Sequence, residues 1–116
     1  MRNFHELQVW IMAHVLVLKI YKISKTFPKD EMFGLTSQMR RSASSIPTNI
    51  AEGCGRNTNP DFKRFLSIST GSSSELEYQL LLARDLEYLY FSHFTDLTND
   101  VIEIRKMLNS FSTKLK

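Results

Sequence analysis

LTSQMRRSASSIPTNIAEGCGR, residues 35 to 56, decides the fold. At about 100° per residue, Leu35, Met39, Ala43, Ile46, Ile50 and Cys54 fall on one stripe, and Gln38, Arg41, Ser45, Asn49, Glu52 and Arg56 fall on another. The spacing therefore predicts a helix with an apolar seam, a polar seam, and mostly small residues between them. Pro47 stands inside it, where it removes one N–H and crowds the carbonyl of Ala43. A helix that bears this cost of about 3 kcal/mol must be compensated by packing.

Working outward, Gly53 and Gly55 predict the end of this helix, which covers 35–53. Thr58-Asn59-Pro60-Asp61 then predicts the start of another, with Asn59 as N-cap, Pro60 in first position and Asp61 at the positive end of the dipole. Its apolar positions, Phe62, Phe65, Leu66, Ile68, Leu76, Leu80, Ala83 and Leu86, carry it over 60–90, about 45 Å at 1.5 Å per residue. Ser92 caps a last helix over 93–113, with Phe94, Leu97, Val101, Ile104, Leu108 and Phe111 inward. Upstream, Asn3 opens a helix over 4–26 that turns Phe4, Leu7, Trp10, Ala13, Val17, Ile20 and Tyr21 inward and breaks at Phe27-Pro28. The middle of that first helix is apolar nearly all round, so it either lies deep in a bundle or meets another subunit. Strand signals are nearly absent. Short links make neighbours antiparallel, and the expectation is an all-α chain, a single domain over 1–116, folded as an up-down-up-down antiparallel four-helix bundle.

A register follows. If the second and third helices fold back about a turn near Asn57, Ala43 faces Gly71, and both are surrounded by small residues, Ser42 to Ser45 against Ser69 to Ser74. Close approach of the backbones at Ala43, Pro47 and Gly71 would absorb the distortion at Pro47 and the cost of Gly71 in mid-helix, about 1 kcal/mol; contact with a neighbouring subunit would explain Gly71 equally well.

At 116 residues the chain buries about two-thirds of its unfolded surface, enough for a core without disulfides. Cys54 is the only cysteine, and a reducing cytoplasm is the simplest compartment. The apolar run Val9–Leu18 is too short for a membrane span and lacks a basic leader, so neither a membrane nor a signal peptide is expected. Net charge is +3, unevenly placed: residues 1–73 carry ten Lys or Arg against five acids, residues 74–116 five against seven.

Catalytic chemistry is thin. His5, His14 and His93 lack metal-pair spacing, and no metal or cofactor is expected; His14 reads as a buried or interfacial side chain. Cys54 lies at a helix C-terminus, whose dipole disfavours a thiolate. Gly71-Ser72-Ser73-Ser74-Glu75 meets neither the G-x-S-x-G nor the P-loop pattern. Gly53-Cys54-Gly55-Arg56-Asn57 is either a capping turn or a phosphate cradle ringed by Arg56, Lys63 and Arg64. Arg40 and Arg41 point about 100° apart. Arg41 joins the polar seam of Gln38, Asn49, Glu52 and Arg56, a network within or between subunits, which leaves Arg40, Arg56, Lys63 and Arg64 as nucleic-acid-binding candidates.

LQVW near the start, FPKDEMFGLTSQMRRSASSIPTNIAEGCGR, and FKRFLSISTGSSSELEYQLLLARDLEYL together resemble the four-helix bundle proteins encoded in intervening sequences of bacterial 23S ribosomal RNA genes, over about Phe4 to Leu108. The resemblance implies up-and-down bundles that associate into cyclic pentamers, similar to accessory proteins of diversity-generating retroelements, which bind nucleic acid and a reverse transcriptase. It carries Gln38, Arg41, Asn49, Glu52, Gly53 and Arg56 as a family signature without a catalytic role, and implies no enzyme. The expected function is a non-enzymatic homo-oligomer, a ring of five, that binds structured RNA or DNA through phosphates; the alternative is an adaptor for a protein partner such as a polymerase.

Overall fold

Four α-helices are joined by short connectors in the computed structural model, which describes residues 2–116: α1 (Gln8–Ser24), α2 (Leu35–Cys54), α3 (Asn59–Asp85) and α4 (Phe91–Lys114). Single 3₁₀ turns precede α1 (Phe4–Glu6) and α2 (Lys29–Glu31). Consecutive helices pack on one another and α4 closes back on α1, whereas the backbones of the diagonal pairs α1/α3 and α2/α4 stay apart. Cross-links fix the directions. Ser69 Oγ donates to the Ile46 carbonyl at 2.8 Å and Ser42 to Gln79, so α2 and α3 run opposite ways. Arg105 bonds Ser73 and Glu77 between α4 and α3, Lys19 pairs with Asp100 between α1 and α4, and Arg40 reaches back to Ser24 and Tyr21 between α2 and α1. The result is an up-down-up-down antiparallel bundle of 44 × 24 × 20 Å.

Local chemistry shifts several expected boundaries. Asn3 does cap, but its side chain accepts from the His5 N–H to close only the 3₁₀ turn, and extended Leu7 separates that turn from α1. Thr58, not Asn59, caps α3: its Oγ1 accepts from the Asp61 N–H at 3.3 Å, which makes Asn59 the first helical residue and Pro60 the second. Ser92 does not cap α4, which begins one residue earlier, after an extended Tyr90. At its far end α3 stops at Asp85 rather than Tyr90. Glu87 adopts φ 66°, and the N–H groups of Tyr88 and Glu87 return to the carbonyls of Ala83 and Arg84, a Schellman closure that normally takes glycine at this position. Glu87→Gly should therefore stabilise the protein by about 1 kcal/mol, because the left-handed conformation costs an L-residue about that much. A urea midpoint that does not rise in the variant would contradict this account.

The core is apolar, built from α1 Val9, Ala13, Leu16 and Ile20, α2 Met39, Ala43, Ile46 and Ile50, α3 Leu66, Leu76 and Leu80, and α4 Val101, Ile104 and Leu108. The phase of α1 differs from the expected one: Tyr21 is exposed and Phe4, Leu7, Trp10 and Val17 are only half-buried, while Leu16 is fully inside. A run that is apolar nearly all round has no unique inward stripe, so periodicity alone could not set its rotation. On α3, Ile68 is likewise exposed, and Leu86 lies exposed just past the helix end. His14 is exposed and stacks flat on Trp10, 5.2 Å between centroids, rather than lying buried.

The helices α2 and α3 pack closely, with Ala43 and Pro47 buried on α2, but Gly71 takes no part in the contact. Gly71 faces open space, with nothing within 4 Å of where a Cβ would stand. Ser69 and Ser73, fully buried, take the inner positions, and Ser72 bonds Ser45 at 2.8 Å. Helical phase decides this, since Gly71 lies two residues from both Ser69 and Ser73 and so points about 200° away from each. Gly53 brings the α2 backbone close to α3: a Cβ added there would meet the Phe62 ring at 2.6 Å. Gly53 is thus a packing residue inside α2 rather than its stop, and Gly55 follows as the C-cap.

Candidate nucleic-acid interface

The α2–α3 turn lies at one end of the bundle, and the fold gathers cations there. Arg2 joins it because its N–H donates to the Cys54 carbonyl at 3.1 Å, and the end of α4 joins it because Asn59 Nδ2 donates to the Lys116 carbonyl at 2.8 Å. Arg2, Arg56, Lys63, Arg64, Lys114 and Lys116 thereby share one end, together with the acids Glu52 and Asp61. Sequence spacing pointed to Arg56, Lys63 and Arg64 only. Arg2 and the last lysines are more than fifty residues from that turn along the chain, and nothing local signals that they meet it.

The arginines are held rather than free. The guanidinium groups of Arg56 and Arg64 lie 4.6 and 4.4 Å from the centre of the Phe65 ring, a cation–π arrangement around one aromatic side chain. Asp61 Oδ1 accepts from Arg64 at 3.0 Å, Glu52 accepts from Arg56 at 3.2 Å, and Arg56 Nε stands 3.7 Å from Asp61 Oδ2 without a hydrogen bond of its own. These ion pairs are largely exposed and contribute little stability, under about 1 kcal/mol each. Their effect is to fix two planar cations at the N-terminus of a helix about 40 Å long, where the macrodipole adds to the positive field. Lys63 makes no ion pair among the described residues.

Arg40 is far from this cluster. Its Nε donates to Ser24 Oγ at 2.9 Å, its Nη2 to the Tyr21 carbonyl at 3.3 Å, and its charge lies 4.7 Å from the Tyr21 ring. It ties α2 to the negative end of α1, a cation over the last carbonyls of a helix. The polar seam is divided as well. Asn49 donates to the carbonyl and hydroxyl of Ser45, Ser45 bonds Ser72, and Glu52 pairs with Arg56, but the side chains of Gln38 and Arg41 make no hydrogen bond among the described residues and line an open crevice with Ser42, Ser45 and Glu75.

Nucleophilic chemistry finds no centre at this end. Burial pushes the Cys54 thiol above its ordinary range, opposed only in part by the charge of Arg2, so the thiolate is disfavoured. No group of three or more His, Cys, Asp or Glu among the described residues could hold a metal ion. Among the described residues no helix is long and apolar enough to cross a membrane.

The family model described as 23S rRNA-intervening sequence protein matches residues 5–110, which takes in all four helices but for the last turn of α4. The chain belongs to that family. Among solved structures it is similar to a protein of unknown function from the S23 ribosomal protein family of Bacteroides thetaiotaomicron, 28% identical, with a TM-score of 0.84 over 90% of this chain and 97% of that one. Among curated proteins none matches the chain significantly. In this member of the 23S rRNA-intervening sequence family, the signature segment spans α2 and its turn, so it serves the inner packing through Gly53 and the cationic end through Arg56.

Proposed function

We propose that this family member is a non-enzymatic homo-oligomer, a ring of five bundles, whose cationic end binds structured RNA or DNA through phosphates. The observation that carries the nucleic-acid reading is the convergence of Arg2, Arg56, Lys63, Arg64 and the end of α4 at the N-terminus of α3. Fixed guanidinium planes over Phe65 suit phosphate oxygens and exposed bases alike. Binding through phosphates makes the affinity electrostatic and weakly dependent on sequence. The protein works in the cytoplasm, where structured RNA is abundant, and needs neither cofactor nor metal.

Lys63→Glu with Arg64→Glu should weaken binding to a structured RNA at least tenfold and flatten its salt dependence, because every phosphate that is no longer neutralised lowers the slope by about one. Fluorescence anisotropy against salt concentration measures both. No association of the wild-type protein with RNA or duplex DNA at low salt would sink the reading. Arg40 is left out of this variant because it holds the end of α1.

A second reading, an adaptor for a protein such as a polymerase, draws on the opposite end. There the connectors expose Met32, Phe33, Tyr90 and Phe91, Phe33 almost completely at 94%. Exposed aromatic side chains of this kind favour protein contacts. Phe33→Ser with Phe91→Ser would separate the two: failure to bind a protein partner with RNA binding intact favours the adaptor.

A further inference from the structure

Two exposed histidines take no part in the core or in the cation cluster, yet both belong to a stack of rings that begins two residues from Arg2. Phe4 stacks on His5 at 4.1 Å between centroids, and both stand against Trp10, at 4.8 and 5.5 Å. His14 lies flat on Trp10 at 5.2 Å, with only 8° between the ring planes. The two imidazoles are exposed, whereas Phe4 and Trp10 are half-buried. The rings are also held. Asn3 Oδ1 accepts from the His5 N–H at 3.1 Å and faces His5 Nδ1 at 2.9 Å, which orients that imidazole. His14 follows Trp10 by four residues on α1, the spacing at which side chains of one helix face meet.

The stack opens at the cationic end. The 3₁₀ turn that holds Phe4 and His5 packs on α2, and Arg2 beside it is tied to the Cys54 carbonyl. From there the rings rise about 10 Å along α1 to His14. Between Arg2 and His14 the sequence has one acid, Glu6. Cations and ring faces on one continuous surface match a particular chemistry. A duplex offers phosphates but keeps its bases stacked inside, whereas an unpaired strand offers phosphates and the faces of its bases together. Imidazole, like the larger aromatic rings, is a platform on which unpaired bases stack.

We propose that this end takes the unpaired part of a structured RNA, with phosphates on Arg2, Arg56, Lys63 and Arg64 and bases stacked on the exposed rings of His5 and His14. The inference rests on the nucleic-acid reading above and names the class of strand that the surface selects.

Trp10 is the only tryptophan, so its fluorescence reports on the stack directly. Titration with a short oligouridine should change that emission, and a blunt RNA duplex of the same number of phosphates should leave it unchanged. His5→Ala with His14→Ala should weaken oligouridine binding at least about fivefold, the low end of what one stacked base contributes, with duplex affinity as in wild type. His14→Phe, which keeps a ring and gives up the titratable nitrogens, should bind oligouridine as the wild type does. Stacking is overturned, while a phosphate-only site stands, if the double alanine variant loses affinity for both RNAs alike or for neither, if His14→Phe falls to the level of the double alanine variant, or if oligouridine binds without changing Trp10 emission. A wild-type protein that binds neither RNA at low salt overturns both readings.

Discussion

Gly53→Ala is expected to destabilise the bundle by up to about 2 kcal/mol, although alanine is the better helix former. The propensity term favours alanine by about 1 kcal/mol. Against it, the new methyl carbon would stand 2.6 and 2.9 Å from two atoms of the Phe62 ring and 3.2 Å from Phe65 Cβ. Overpacking of this kind typically costs about 1–3 kcal/mol. Phe62 cannot simply swing aside, because it is buried and packs edge-on against Phe111 at 5.4 Å. Gly53→Val, which adds two further carbons, should lose about 3 kcal/mol or more. Urea denaturation checks this through a lower midpoint at unchanged slope. Phe62→Leu placed in the Gly53→Ala background should recover part of the stability, since residues in contact couple by about 0.5–3 kcal/mol. An alanine variant more stable than wild type would show that the α2–α3 crossing has slack at this point, and Gly53 would have no packing role.

Leu80→Ala should cost more, about 2–5 kcal/mol, the usual range for truncating a buried leucine. Leu80 is fully buried on α3, and its removal leaves a cavity lined by core side chains already fixed by their own neighbours. The adjacent Leu81 is an internal control. It is 36% exposed and lines a surface crevice with Phe94 and Thr98, so Leu81→Ala should cost under about 1 kcal/mol. Thermal unfolding followed by helical circular dichroism orders the two; equal midpoints would mean that α3 is rotated from the orientation described.

Much of the candidate interface was legible from residues 53–64, because a turn rich in glycine, a proline-opened helix and three cations lie together in sequence. What was not legible is its size. Arg2 and Lys116 reach it through hydrogen bonds between segments distant along the chain, and no local spacing records such contacts. Arg40 shows the converse: it reads as a free cation beside Arg41, yet the antiparallel packing of α1 and α2 carries it to the carbonyl of Tyr21. Gly71 and Gly53 depart from their expected roles for a similar reason. Both are small enough for close packing, and only the rotation of each helix determines which one meets a neighbouring helix.

By itself the sequence determined four helices, their order, their antiparallel alternation and the inner faces of α2 and α4, because those faces carry a single apolar stripe between clear turn residues. Tertiary structure alone decided the rotation of α1, the choice of Ser69 and Ser73 over Gly71 at the α2–α3 crossing, and the gathering of cations at one end. Periodicity specifies which residues share a face of one helix; which faces meet depends on side-chain volumes filling a common interior, and that is a property of all four helices together.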